Sequence, residues 1–403
     1  MTQTLLSPTE ITRESLRILH QKLNFIGTVN RQYDKSFAKE GAKIGSNLTI
    51  RLPNEFTVRT GKTIDVQDVE EPSVVLTVAT QKGVDFSFSS VDRTMTIDRF
   101  SERYLEPAMS VLASHMESDA MSMYQEVYNE VSDVGASLTL ADVLNASKRL
   151  TENLAPYSER TLNLSTQMNV DLVTAVSGLF NDQNKLAKNY REGRMASNSL
   201  GFQSIMENTL LPIHTTGSDD GTGDHLADGT VSGNDVTTGS EGAGTLAVGD
   251  IVEFDTVNAV HPETKADLGY RKQFVVTAAY SATDTTLTVS PAPVATGAKQ
   301  NISAAIANTD KVYKVEGDHS TAIGASADYQ IGMAYHKDAF AFASADLVKP
   351  EGVDFCARQV LDNLSMRIVR DYDINNDQFP CRIDVLYGYK AIRPQLACRI
   401  GMN

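Results

Sequence analysis

Residues 98–131 run DRFSERYLEPAMSVLASHMESDAMSMYQEVYNEV, and the folding of this stretch sets what the rest of the chain has to cover. Phe100, Tyr104, Ala108, Leu112, His115, Met116, Ala120, Met123, Val127 and Val131 recur at spacings of three and four, the period of one helix face. At 1.5 Å per residue such a helix spans roughly 50 Å. Ser110, Ser114, Glu117, Ser118, Gln125 and Asn129 fall on the opposite face, which excludes a membrane span. Pro107 lacks a backbone donor and predicts either a helix start or a kink. His115, on the apolar stripe, is expected to be a core or interface histidine rather than a ligand or base. A long helix with one apolar stripe needs a sheet or other helices laid along it.

Composition limits the remaining choices. The chain has 403 residues, 41% of them hydrophobic, enough for several domains with a substantial core. Its formal charge is −15, which argues against a protein that reads nucleic-acid sequence through a basic face. It leaves open one that merely encloses nucleic acid. Cys356, Cys381 and Cys398 have neither metal-site nor disulfide-framework spacing, and so few point to a reducing compartment. The first residues, MTQTLLSPTEITRES, contain no basic n-region or apolar h-region, so no secretion signal is expected. No apolar run reaches membrane-spanning length.

Around the long helix, Ser7-Pro8-Thr9-Glu10 predicts a capped helix start. Ile11, Leu16, Ile18, Leu19 and Leu23 form its apolar side and Gly27 its end. Arg31 to Lys35 is a polar, extended arm. The period then changes to two: Leu48, Ile50 and Leu52 share a strand face, with Phe56 and Val58 continuing the pattern. Arg59–Pro72 is a polar hairpin excursion, after which Val74, Leu76, Val78 and then Val84, Phe86, Phe88 alternate as strands. Thr139 and Asp142 predict a second capped helix that stops at Ala155-Pro156. A short strand is expected at Thr161–Leu164, and a third helix over Val170–Phe180 with Asn169 as its cap. From Gly217 to Gly249 there are nine glycines, six acidic residues and no Lys or Arg, the composition of a mobile loop. Short strands at Ile251–Phe254, Phe274–Thr277 and Thr285–Val289 then predict a small inserted barrel or sandwich over roughly 216–317. Beyond Asp328 a strand is expected around Ala339–Phe342, a short helix or loop over Val353–Val360, and extended segments from Ser365 to Arg393.

Signatures of chemistry are sparse. The sequence has no Walker-type glycine loop, no Gly-x-Ser-x-Gly elbow and no His-Glu-x-x-His. Ser36-Phe37-Ala38-Lys39 fits Ser-x-x-Lys without its companion motifs. Asp219, Asp220, Asp224 and Asp228 lack the EF-hand register and are expected to be a solvated acidic loop. No catalytic residue, cofactor or metal is expected. These residues leave open a shell subunit, a structural surface or tail protein, and a cytosolic enzyme whose glycine-rich loop is a lid.

Near the C-terminus, Cys381-Arg382-Ile383, Leu386-Tyr387-Gly388 and Ala391-Ile392-Arg393-Pro394 resemble the closing segment of the coat proteins of Salmonella phage P-22 and its relatives. Gly201-Phe202 followed by Leu211-Pro212 resembles the stretch leading into that family's inserted domain. Gly249-Asp250 and Val289-Ser290-Pro291-Ala292-Pro293 resemble parts of the inserted barrel. The resemblance implies an α+β, Hong Kong 97-type capsid fold. Its N-terminal arm would be residues 1–47, its E-loop and peripheral-domain strands 48–91, its spine helix 92–134. The axial domain would be 135–215 and 318–358, the inserted β-barrel 216–317 and the C-terminal peripheral strands 359–403. It implies a major capsid protein, not an enzyme, that is assembled in the host cytoplasm and located in the virion. Its copies would form hexamers and pentamers with a scaffolding protein and a portal, enclosing double-stranded DNA without sequence-specific binding. By position, the loop 217–242 would reach another capsomer across a two-fold axis. Asp219, Asp220, Asp224 and Asp228 are therefore inter-subunit contact candidates, expected to pair with basic groups of a neighbour. Lys62, on the hairpin, is a further candidate. The covalent cross-linking of some relatives joins a hairpin Lys to an Asn, but the subgroup resembled does not cross-link, so none is expected of Lys62.

Overall fold

The computed structural model describes residues 8–32, 45–64, 66, 71–87, 104–132, 136–176, 198–219, 225–239, 244–281, 283–315, 327–374 and 380–402. The chain forms two compact units. One takes Met1–Arg51, Ser73–Met121 and Phe340–Ile392; the other takes Leu52–Pro72, Ser122–Ala339 and Arg393–Asn403.

The first unit is a six-stranded sheet under two helices. Its strands run in the order Asn30–Gln32, Phe340–Ala345, Pro380–Ala391, Leu364–Arg370, Phe355–Leu361, with Thr80–Ser87 also paired to Pro380–Ala391. Asn30–Gln32 pairs in parallel; the other pairs are antiparallel. Helix Pro8–Lys22 buries Ile11, Leu16, Ile18 and Leu19 against the hairpin 355–370 and helix Glu106–Met121. Gly27 does not end it: the helix stops at Lys22 and Gly27 lies inside a second short helix, Phe25–Thr28. Ser7 lies outside the described residues. A separate ribbon pairs Ser46–Arg51 with Ser73–Val78, and Leu76 and Val78 turn inward. Val353–Val360 holds no helix, and beyond Val353 and Asp354 it is not a loop: Phe355–Leu361 is a strand paired over its whole length with Leu364–Arg370. The turn between them sets Asp362 and Asn363 at positive φ, a two-residue hairpin geometry that Asn and Asp tolerate.

The long helix is shorter than its periodicity predicts. The α-helix runs from Glu106 to Met121, a 3₁₀ turn covers Ser122–Glu126, and Glu130–Ser132 is already a strand. Pro107 starts the helix, where its missing donor costs nothing; residues 98–103 lie outside the described residues. The C-terminal end is lost to tertiary pairing, because Glu130, Val131 and Ser132 join Arg399, Ile400 and Gly401 in a parallel ladder, which outweighs a weak local preference. The buried stripe is also rotated from the expected one. Met109, Leu112, Ala113, Met116, Glu117, Ala120 and Met121 face inward, while His115 is exposed.

The second unit contains a six-stranded sheet and a barrel. The sheet order is Glu130–Ser132, Ala397–Met402, Asp328–His336, Arg160–Leu164, Ser204–Glu207, with Ile213–Thr215 also paired to Asp328–His336. Helix Leu140–Glu152 starts at a capping box: Asp142 N–H donates to Thr139 Oγ1, and Thr139 N–H donates to the Asp142 carboxylate. The next helix is Thr166–Val176. It begins earlier than expected, so Asn169 lies inside it, and Ser165 Oγ accepts from Met168 N–H in the capping role.

The barrel is closed in the order Asp235–Thr238, Thr286–Ser290, Asp267–Val276, Ile251–Val260, Asn308–Lys314, His225–Ser232. Two of its strands come from the glycine-rich stretch that composition assigns to a mobile loop. The stretch carries Ala227, Val236 and Leu246 into the barrel core, and its glycines take positive φ where the chain needs it: Gly233 in the turn between the two strands, Gly244 in a bend, and Gly229 within strand His225–Ser232. Phe254 and Phe274 meet edge to face in the core at 5.6 Å.

Candidate functional site

The second unit holds a buried polar centre where the barrel meets the sheet. Arg399, in the C-terminal strand, is fully buried. Its Nε donates to Glu130 Oε2 at 2.7 Å, its Nη2 donates to the same oxygen, and its Nη1 donates to the carbonyl of Gly249 at 2.7 Å. The parallel register that sets Arg399 opposite Glu130 creates this pair. Glu130 Oε1 accepts from Tyr329 Oη at 3.0 Å, and burial next to Glu130 holds the Tyr329 hydroxyl well above its ordinary value, so it stays a donor. Gln273, on a barrel strand, accepts from Glu130 N–H (2.8 Å) and donates to its carbonyl (3.1 Å). A buried carboxylate held this way has each oxygen satisfied, which an uncompensated buried charge would not.

A second chain of bonds extends from the same centre. His214 Nε2 lies 2.8 Å from Asp250 Oδ1 and His214 Nδ1 lies 3.1 Å from Tyr124 Oη. Asp250 Oδ2 accepts from the backbone N–H of Gly217 (3.0 Å) and Ala247 (2.7 Å). Gly249, just before Asp250, has φ +97° and its Cα faces the His214 ring, where a Cβ would come within 3.1 Å. Gly401 is equally constrained: a Cβ there would sit 2.6 Å from the Tyr329 ring. The Gly249-Asp250 pair thus fastens the entrance of the barrel to the segment that leads into it.

The strand ends at Arg51, so Phe56 (59% exposed) and Val58 (95%) do not continue it; with Ile64 (77%) and Val66 (84%) on the hairpin excursion that follows, they stand in solvent. Four large apolar side chains within eleven residues exceed the scattered surface apolar residues of an ordinary fold.

Of the residues singled out in the sequence, Lys62 lies exposed among these apolar groups and Asp228 is exposed on a barrel strand, accepting from Thr230 N–H at 2.8 Å. Asp220 and Asp224 lie outside the described residues. Asp219 is not a surface carboxylate. It is 2% exposed, its Oδ2 lies 2.9 Å from His225 Nε2, and its carbonyl accepts from Lys314 Nζ. Where the chain enters the barrel, burial needs a partner inside the subunit, and His225 provides it. Of the two acidic residues described, Asp219 is buried and Asp228 exposed, so Asp219 does not belong to a solvated patch.

Sequence reasoning missed Arg399, Glu130 and His214, and took up Asp250 only through resemblance. A signal was present: single charges of opposite sign inside apolar strands, Arg399 between Cys398 and Ile400 and Glu130 before Val131. Only the register makes them partners. Among the described residues no group of three or more His, Cys, Asp or Glu could hold a metal ion, and no helix is long and apolar enough to cross a membrane. An open depression of about 260 Å³ is lined by Tyr157, Ser158, Asn198, Gly201, Phe202 and Gln203, a set without carboxylate, imidazole, amine or thiol.

No curated protein matches the sequence. Among solved structures, the chain is similar to one from Mycobacterium phage Che8, with 13% identity and a TM-score of 0.45 over 94% of this chain and 90% of that one. It is similar to the mature capsid of bacteriophage PhiM1, with 12% identity and a TM-score of 0.45 over 94% and 87%. It also matches the virus-like particle from Pyrococcus furiosus, with 7% identity and a TM-score of 0.39 over 97% of both chains. A family model described as P22 coat protein, gene protein 5, matches residues 19–402, nearly the whole length, and the chain belongs to that family.

Proposed function

We propose that this capsid shell protein closes, as hexamers and pentamers of itself, into an icosahedral shell around double-stranded phage DNA. The observation that carries the reading is the hairpin. Phe56, Val58, Ile64 and Val66 are unburied within the subunit, and covering them with a neighbour at about 25 cal/mol per Å² stabilises assembly rather than the monomer. Membership of a coat-protein family supports self-association and a place in the virion capsid.

The finer parts follow the same reading. The hairpin Arg59–Pro72 acts as the E-loop, and helix Glu106–Met121 as the spine of a peripheral domain that takes the ribbon and C-terminal strands. The sheet of the second unit is the axial domain, and the barrel its insertion. A separate scaffolding protein directs closure in the host cytoplasm, and a portal occupies one vertex. The net charge of −15 suits a container that does not grip DNA, and the subunit does no catalysis. Lys62 and Asp228 are the exposed contact candidates toward neighbours.

The test is electron microscopy and sedimentation of the chain expressed beside a candidate scaffolding partner. Closed icosahedral particles are the expected result. A persistent monomer or small oligomer overturns the reading, and uniform closed shells from the chain alone overturn the need for a scaffold.

A further inference from the structure

The barrel and the sheet of the second unit are joined by two kinds of contact that differ from the cores on either side. One is the buried centre described above: Arg399 to Glu130 and Gly249, and Gln273 to the backbone of Glu130. The other is a pair of cations stacked on rings. Lys272, on the barrel strand Asp267–Val276, is 8% exposed and places its Nζ 4.4 Å over the Tyr128 ring. Arg149, on helix Leu140–Glu152, lies 3.8 Å over the Tyr270 ring. Beside these contacts, among the described residues, sit a small apolar cluster, Tyr128, Ile251, Val275 and Val315, and the bonds of His214 and Gly217 to Asp250. The barrel by contrast has a closed ladder and a core of its own, separate from the junction.

We propose that this junction is a releasable latch: it opens as a unit, freeing the folded barrel from the folded sheet, and the burial of Lys272 makes its closure depend on pH. An ammonium over a ring face, with a like charge beside it, is a poor substitute for water. Burial, helped by the nearby Arg149, lowers the Lys272 amine from its usual 10.5 to about 7. With the latch open, the amine returns to water and to its ordinary value. The open state then binds a proton that the closed state does not, so between pH 10.5 and 7 each drop of one pH unit favours opening by up to about tenfold. The other charged and titratable groups facing this side are named by their effects. Arg149 acts on Lys272, Tyr270 and Glu253. Glu152 acts on Tyr270, Glu55 and Tyr270 on Tyr128, and Arg271 on Glu253. Burial pushes Tyr128 above the range and Tyr270 up to about 12, so both stay protonated. Burial pushes Glu253 up to about 7, at the lower edge of the window, where taking up its proton favours the closed state and opposes the lysine.

The test is amide hydrogen exchange on the full-length unassembled subunit at pH 9, 8 and 7, expressed as protection relative to the intrinsic rate. The amides of Glu130 and Gly217 report the junction, since they donate across it to Gln273 and Asp250. The amides of Ile251–Val260 and Asp267–Val276 report the barrel. The expected result is a fall of at least tenfold in junction protection from pH 9 to pH 7, with barrel protection unchanged. Lys272→Met, which keeps the volume and removes the proton site, holds junction protection at the pH 9 level throughout. Arg399→Met, which strands Glu130, lowers junction protection at least 100-fold at every pH while the barrel stays protected. A parallel loss of protection in barrel and junction overturns the latch, and an unchanged pH response in Lys272→Met overturns the role of the lysine. Should Arg399→Met fail to fold, the native chain and Lys272→Met still decide.

Discussion

At the scale of single residues, Glu117 shows how far a side chain's role depends on what surrounds its helix. The sequence places it on the polar face, yet it is buried, and its oxygens accept from the backbone N–H of Phe25 (2.9 Å) and Ile26 (3.1 Å). It ties helix Glu106–Met121 to the segment after helix Pro8–Lys22. Burial pushes its carboxyl up to about 7, against the opposing pull of those N–H groups. The folded state therefore holds a proton that the unfolded chain releases, and the contribution to stability is fully present below about pH 4.5 and lost as pH rises through 7. At about 1.4 kcal/mol per pH unit the window amounts to on the order of 3 kcal/mol. Urea unfolding at pH 5, 6, 7 and 8 is expected to show a steeper decline in the native chain than in Glu117→Gln. Equal slopes would remove Glu117 as the cause, since Glu253 titrates in the same range and is common to both. Gly388 gives a second residue-level expectation. A Cβ at this position would lie 2.2 Å from the Thr77 carbonyl oxygen and 2.9 Å from Val78 Cα, and both are backbone atoms that do not yield. Gly388→Ala is expected to cost about 1–3 kcal/mol, visible as a lowered melting temperature.

At the scale of elements, sequence periodicity was most reliable where local chemistry and burial agreed. The capping box at Thr139 and Asp142, the strand Arg160–Leu164 and the alternating strands of the C-terminal third all formed where expected. It failed where a distant partner decided. The residues after Met121 continue a helical spacing, but Glu130–Ser132 takes a sheet partner some 270 positions away. Phe355–Leu361 becomes a strand because Leu364–Arg370 lies beside it. The glycine-rich stretch 217–249 looked like a loop by composition, and its few apolar residues gave little weight against nine glycines. Closure of a barrel, which needs turns as much as strands, is what uses both. The polar centre at Arg399 and Glu130 was illegible for the same reason: neither residue has a local signature, and their pairing is a property of register. Because the capping box is local, its removal should act locally. Thr139→Ala is expected to lower stability by about 1 kcal/mol in urea unfolding, leaving the junction bonds of the barrel intact.

At the scale of the whole molecule, two features act in opposite directions on assembly. Each subunit carries a formal charge of −15, so copies brought together repel, and the hairpin offers Phe56, Val58, Ile64 and Val66 to be covered. Salt separates these contributions. The Debye length falls from about 30 Å at 0.01 M to about 10 Å at 0.1 M, which screens repulsion between subunits and leaves apolar burial nearly untouched. If apolar burial dominates the contact, the assembled fraction in sedimentation rises from 0.01 M to 0.2 M salt. Replacing the four apolar residues by Ser then lowers it at every salt concentration, while the unfolding free energy of the isolated subunit stays within about 0.5 kcal/mol of the native value, since exposed positions carry little of it. If ionic pairing through Lys62 and Asp228 dominates instead, assembly falls over the same salt range, because exposed ion pairs are screened. Lys62→Gln with Asp228→Asn then abolishes the salt response. Phe56, Val58, Ile64 and Val66 are all exposed in the subunit, so the first outcome is the expected one. A fall in assembly with salt would transfer the contact from the apolar side chains to the charges beside them.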